Sequence, residues 1–74
     1  MTKSRTEMAS RIRAEMARRE IPVATLAKTL GVAPNTIVNW RSGQNEPRTL
    51  EMAIRLADAL EMPIEWLLGQ DQRP

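Results

Sequence analysis

The stretch GVAPNTIVNW, Gly31 to Trp40, decides the fold. It holds a glycine, a proline three residues later, and then polar side chains set between apolar ones. Glycine enters the left-handed region without a Cβ penalty, so Gly31 reads as the residue that ends one helix. Proline has no N–H to lose at the first helical position, so Pro34 reads as the start of the next. Ile37 and Trp40 share one face, which leaves Asn35, Thr36 and Asn39 for the other side. Two helices joined by a turn of about four residues containing glycine make a helix-turn-helix. The motif is expected over about residues 22–42.

Upstream, Ile21-Pro22 restarts the chain, and Leu26, Ala27 and Leu30 give the first helix of the pair a short apolar face. Val32 and Ile37 are placed to staple the turn to the core. Further back, Ser4-Arg5-Thr6-Glu7 reads as a capping box with Ser4 at the N-cap. Met8, Ile12 and Met16 then recur every four residues, with Ala9 and Ala17 beside them. That spacing is one helix face, and it reads as core rather than as a cofactor site. Downstream, Ser42-Gly43-Gln44-Asn45-Glu46-Pro47 is a polar loop with two breakers. Thr49 caps the most strongly periodic helix, marked by Leu50, Ala53, Ile54, Leu56, Ala57 and Leu60. Pro63 opens a last short helix, Ile64 to Leu68, and Gly69 ends it. Residues 70–74 are expected to fray. No strand pattern or repeat occurs. The expectation is an all-α, compact five-helix domain spanning residues 1–74, with its core over about 4–69.

Composition narrows the function. The 74 residues hold no cysteine and no histidine, which removes disulfides, thiolate sites and the commonest general base and metal ligand. The acidic residues are scattered and no Gly-rich phosphate loop is present, so neither an enzyme nor a metal or cofactor site is expected. No apolar run approaches the ~20 residues that span a bilayer, and the N-terminus has no signal-peptide hydrophobic region. A cytoplasmic protein is the expectation, with no membrane partner. Residues 1–50 carry nine Lys/Arg against four Asp/Glu, a balance of +5, and residues 51–74 carry two against five, a balance of −3. A basic first part with an acidic end is compatible with a polyanion-binding face.

DNA suits the motif physically. An α-helix fits the major groove, and its N-terminal residues reach base edges. The second helix of the pair must then be apolar inside and polar outside, as Pro34 to Ser42 is. Asn bonds adenine bidentately through its amide, and the Thr methyl suits a thymine methyl. A bare α-hairpin whose Asn residues meet only water is the alternative that local pattern leaves open.

Leu26-Ala27-x-x-Leu30-Gly31-Val32-x-x-x-Thr36-Ile37-x-x-Trp40-x-x-Gly43, then Glu46-Pro47, Leu56-Ala57-x-Ala59-Leu60 and Glu65-Trp66-Leu67-Leu68, resembles the phage lambda-type repressor and Cro family of helix-turn-helix domains. The resemblance covers roughly residues 11 to 69. It implies a five-helix regulator that binds double-stranded operator DNA as a two-fold homodimer. Position by position, it implies base reading by Asn35 and Asn39, with Thr36 beside them on a base or a phosphate. It implies backbone contacts from Ser42, Gln44 and Arg48. Arg11 and Arg13 are further phosphate candidates, with a solvated helix face as the alternative. The dimer contact falls around Ile64, Leu67 and Leu68, unless these close the monomer core.

Three departures stand out. Val23 replaces a phosphate-touching Gln at the start of the first motif helix. Met16 and Arg41 replace an Arg–Glu buried pair, which leaves Arg41 for phosphate or an acidic neighbour. Pro34 replaces a reading Gln or Ser, so readout leans on Asn35 and Asn39. The same fold also serves in antitoxins and protein-interaction modules, so a toxin or RNA polymerase is a possible protein partner. An interaction domain that never touches DNA is the third reading. The C-terminal domain of larger repressors is not expected, and five residues after Gly69 are few for a toxin-binding segment.

Overall fold

Helix α1 covers Lys3–Arg18, α2 Val23–Leu30, α3 Pro34–Ser42, α4 Leu50–Ala59 and α5 Ile64–Leu67. This is a computed structural model, and it describes residues 3–68. Those residues contain no strand, so the all-α, five-helix expectation holds for them. Gly69 and residues 70–74 lie outside the described residues. α1 is already helical at Lys3. Ser4 therefore falls inside the helix and is not its N-cap.

Four of the five helices end the same way. The residue after the cap turns left-handed, its N–H bonds back three residues, and the next N–H bonds back five. Ile21 N–H reaches the Met16 carbonyl at 2.9 Å, Val32 the Ala27 carbonyl at 3.0 Å, Gln44 the Asn39 carbonyl at 3.0 Å and Met62 the Ala57 carbonyl at 2.9 Å. This is the Schellman motif. Gly31 and Gly43 supply the left-handed residue at φ 73° and 85°, and glutamates Glu20 and Glu61 supply it at φ 56°. Helix starts use other chemistry. Pro34 takes the first position of α3, as expected. Pro22 and Pro63 sit one residue earlier, as the N-caps of α2 and α5. The Thr49 hydroxyl accepts from Met52 N–H at 3.1 Å and caps α4.

α1 packs on α3 and α5, α2 on α3 and α4, and α4 on α5. The core between them takes Met8, Ile12 and Met16 from α1, Leu26, Ala27 and Leu30 from α2, Ile37 and Trp40 from α3, and Leu56, Ala57 and Leu60 from α4. No polar or charged side chain is buried among the described residues. The sequence pattern overstates the core in places. Ala17 is exposed. Leu50 and Ile54 were expected on the buried face of α4, but they are 62% and 47% exposed. A helix buries one stripe, and Ala53, Leu56, Ala57 and Leu60 already fill it. Leu67 was expected at a dimer surface, but it is fully enclosed in the core. It has no area left to offer a partner. Ile64 and Leu68 are half-buried against that core.

Candidate nucleic-acid interface

Ile37 and Trp40 are buried, and they set the rotation of α3 on α1 and α2. Pro34, Asn35, Val38 and Ser42 are exposed, and Thr36 and Asn39 are half-buried at the margins of the outer face. The backbone of Asn39 organises the loop that follows. Its carbonyl accepts from Gln44 N–H at 3.0 Å, Asn45 N–H at 3.2 Å and the Ser42 hydroxyl at 3.1 Å. The Ser42 hydroxyl in turn accepts from Gln44 N–H at 3.3 Å. The loop after α3 is thereby tied to the last turn of the helix, and exposed Gln44 is carried with it.

Arg48 and Thr36 come together on one groove of about 270 Å³, lined also by Trp40, Thr49 and Met52. It lies between the start of α3 and the capped start of α4. A second, wider cleft of about 530 Å³ collects Arg13 and Arg41 over Met16, Ala17, Ile21 and Pro22, with Glu20 on the rim. Arg13 Nη1 donates to the Arg41 carbonyl at 2.6 Å, which satisfies a carbonyl at the negative end of α3. The N-termini of α2 and α3 have no side-chain cap and no acidic residue in the first turn. Their free N–H groups and positive dipole ends favour an anion. Met16, which stands in place of the arginine of a buried ion pair, is core, and Val23 packs half-buried against that core.

Arg11 is not with this set. Its guanidinium lies over the Trp66 ring, 4.1 Å from the centroid, and donates to the Trp66 carbonyl. The phosphate role expected for Arg11 is corrected on that ground: the group is engaged by α5. Two residues along a helix turn the side chain by about 200°, so Arg11 and Arg13 serve opposite sides of α1.

A helix-turn-helix family profile matches residues 12–67, α1 to α5. The chain belongs to the lambda-repressor-type helix-turn-helix family. Among solved structures, this member of the family is similar to the P22 c2 repressor protein, crystallised in complex with a synthetic operator. The two are 34% identical, the match covers 86% of this chain and 96% of that one, and the TM-score is 0.79. Comparison with curated proteins gave no match. In this family member, the outer face of α3 also holds an apolar residue. Val38 is 39% exposed. An apolar residue beside Ile37 looks like core until the helix rotation is known.

Proposed function

We propose that this chain is a sequence-specific DNA-binding transcription regulator that occupies a pseudo-palindromic operator as a homodimer. α3 enters the major groove, with Asn35 and Asn39 on base edges and Thr36 on a base or a phosphate beside them. Arg13, Arg41 and Arg48 approach phosphates, with Ser42 and Gln44 on the backbone after α3. The observation that carries this reading is the split of α3. Ile37 and Trp40 are buried inside, and a face of small polar groups and one valine points out. It is flanked by two clefts, one holding Arg13 and Arg41 and the other Arg48. The similar P22 c2 repressor was solved with an operator, which supports the same partner class here.

For the two-fold contact, half-buried Ile64 and Leu68 stay as candidates, and Ile54 joins them. Ile54 and Ile64 line a groove of about 290 Å³ with Arg55, Ala57, Asp58 and Met62. In an isologous contact the same patch meets itself. Arg55 of one copy then faces Asp58 of the other across an apolar strip, which suits a second copy of this chain.

Selection of bound duplexes from a random pool tests the reading. The expected outcome is a motif with two-fold symmetry, at least one A·T pair read in each half-site, and half-site centres about 10 base pairs apart. Three arginines per chain make about six phosphate contacts per dimer. The slope of log affinity against log salt is then about −5. A slope near zero, or no enriched motif, overturns the proposal.

A further inference from the structure

Val38 lies on the outward face of α3, 39% exposed. At 100° per residue, Pro34 and Ser42 lie about 40° to either side of it, and Asn35 and Arg41 about 60°. Asn39 and Ile37 lie about 100° away, and Trp40 lies on the far side. Burial agrees with this wheel. Pro34, Asn35, Val38 and Ser42 are exposed, Arg41 and Asn39 are half-buried on either flank, and Ile37 and Trp40 are buried, so the face opposite the buried pair is centred between Ser42 and Asn35 with Val38 toward one side. An apolar side chain therefore stands among the polar groups of the exposed face. It is also β-branched, so in a helix one rotamer dominates and its two methyl groups are held in place before any contact.

We infer that Val38 is a specificity-determining residue that packs on the C5-methyl group of a thymine in the major groove. The inference rests on the proposed DNA reading and refines it. The major-groove edges present donors and acceptors, and one apolar group, the thymine methyl. Valine can neither donate nor accept. Against any other edge it strips water from a polar group and gives nothing back, which is penalised. Against a methyl it removes apolar surface from water on both partners. Asn35 precedes Val38 by three residues, or about 4.5 Å of helix rise. The thymine is therefore in a base pair next to the one that Asn35 addresses. Val38 thereby adds methyl recognition beside the two asparagines, which both lie to the same side of it around the helix.

The test uses the operator selected by the full chain. Each thymine is replaced in turn by deoxyuridine, which removes only the methyl, and affinity is measured for the wild type and for Val38→Ala. Val38 is exposed, so its alanine variant should keep the wild-type circular dichroism and melting curve, and both are recorded. The wild type is expected to lose about fourfold in affinity per half-site at one symmetric pair of thymines, the value of about one buried methyl. Val38→Ala should be weaker on the thymine operator and indifferent to uracil at that pair. Where a cytosine is placed there instead, 5-methylation should improve binding by the wild type and not by Val38→Ala. The inference is overturned if no thymine methyl matters to the wild type. It is overturned equally if Val38→Ala keeps the full methyl dependence, or weakens binding alike on thymine and uracil. In those cases the DNA reading survives. Failure of the wild type to retain any duplex overturns both together.

Discussion

Glu20→Gly is expected to stabilise the chain by about 1 kcal/mol, and Glu61→Gly by much less. Both glutamates hold the left-handed position after a helix, at φ 56°. A residue with a Cβ costs about 1–2 kcal/mol there. Glycine removes that cost but loses about 0.5–1 kcal/mol because its unfolded chain is freer. A carboxylate just past a helix C-terminus also meets the negative end of the dipole, against folding by about 0.3–1 kcal/mol. At Glu20 these effects sum to about 1 kcal/mol, because its exposed side chain makes no ion pair among the described residues. At Glu61 the carboxylate accepts from Arg19 Nη1 at 3.0 Å, and the Glu61 carbonyl accepts from Nη2 at 3.4 Å. That side chain is 74% exposed, so the pair is worth about 0–1 kcal/mol, and its loss offsets most of the relief. Thermal melts followed by circular dichroism read the difference. In a domain of this size 1 kcal/mol moves Tm by about 4–8 °C. An unchanged or lower Tm for Glu20→Gly would refute the strain argument at the end of α1. Equal gains at the two sites would refute the share given to Arg19.

Further outcomes follow from the same contacts. Glu15 loses solvation on folding, which raises its pKa, but hydrogen bonds from Arg18 and Arg19 and their charges outweigh this and hold it below the ordinary value. A depressed carboxylate pKa gives stability that is present above the unfolded value of about 4.3 and is lost as pH falls through the folded value; Glu15→Gln should therefore flatten the acid limb of a stability–pH curve and leave the limb above neutrality unchanged. Arg11→Ala should cost about 1–2 kcal/mol, from the lost cation–π contact and carbonyl bond, and shift Trp fluorescence, while the salt slope of DNA binding stays as in the wild type. Arg48→Ala should do the reverse, leaving Tm unchanged and flattening the salt slope by about one unit on every sequence tested. Leu67→Ala should cost about 2–5 kcal/mol, enough to unfold much of a small domain at 37 °C, whereas Ile54→Ser should leave the monomer melt within about 0.5 kcal/mol and lower the concentration-dependent mass seen by sedimentation.

What was legible in the sequence was whatever has a one-residue cause. Gly31, Pro34 and Thr49 each announce a helix end or start through their own chemistry, and the structure has them in those roles. The Met8–Ile12–Met16 stripe announces a buried face through its period, and it is buried. Glu20 and Glu61 were not legible, because glutamate carries no preference for the left-handed region. They occupy it because the apolar residues after them, Ile21 and Met62, must return to the core and draw the chain round. Leu50, Ile54 and Leu67 were misassigned for a related reason. Apolar period locates a stripe but not its edges, and the edges depend on which neighbour covers the helix. α5 is the extreme case, since in four residues every side chain is within a turn of every other, and only packing separates enclosed Leu67 from half-buried Ile64.

The arginines of α1 bring these threads together. In sequence, Arg11 and Arg13 look alike: two cations off an apolar stripe. In the fold they lie on opposite flanks of one helix. Arg11 grips Trp66 in α5, and Arg13 grips the last turn of α3 through the Arg41 carbonyl. α5 and its C-cap carry Ile64 and Leu68 of the proposed two-fold contact, and α3 carries the proposed reading face. α1 is the element that touches both. In a dimer on a palindrome, the distance between the two reading helices must match about one helical turn of DNA. That distance is set by how α3 is held relative to the edge where the copies meet. The two arginines therefore act on spacing as well as on stability. Removing both should weaken binding to the selected operator more than binding to an isolated half-site, and should shift the preferred half-site separation or broaden it. If a spacing series instead gives the wild-type optimum with wild-type sharpness, α1 does not set the separation, and the α4–α5 packing alone does.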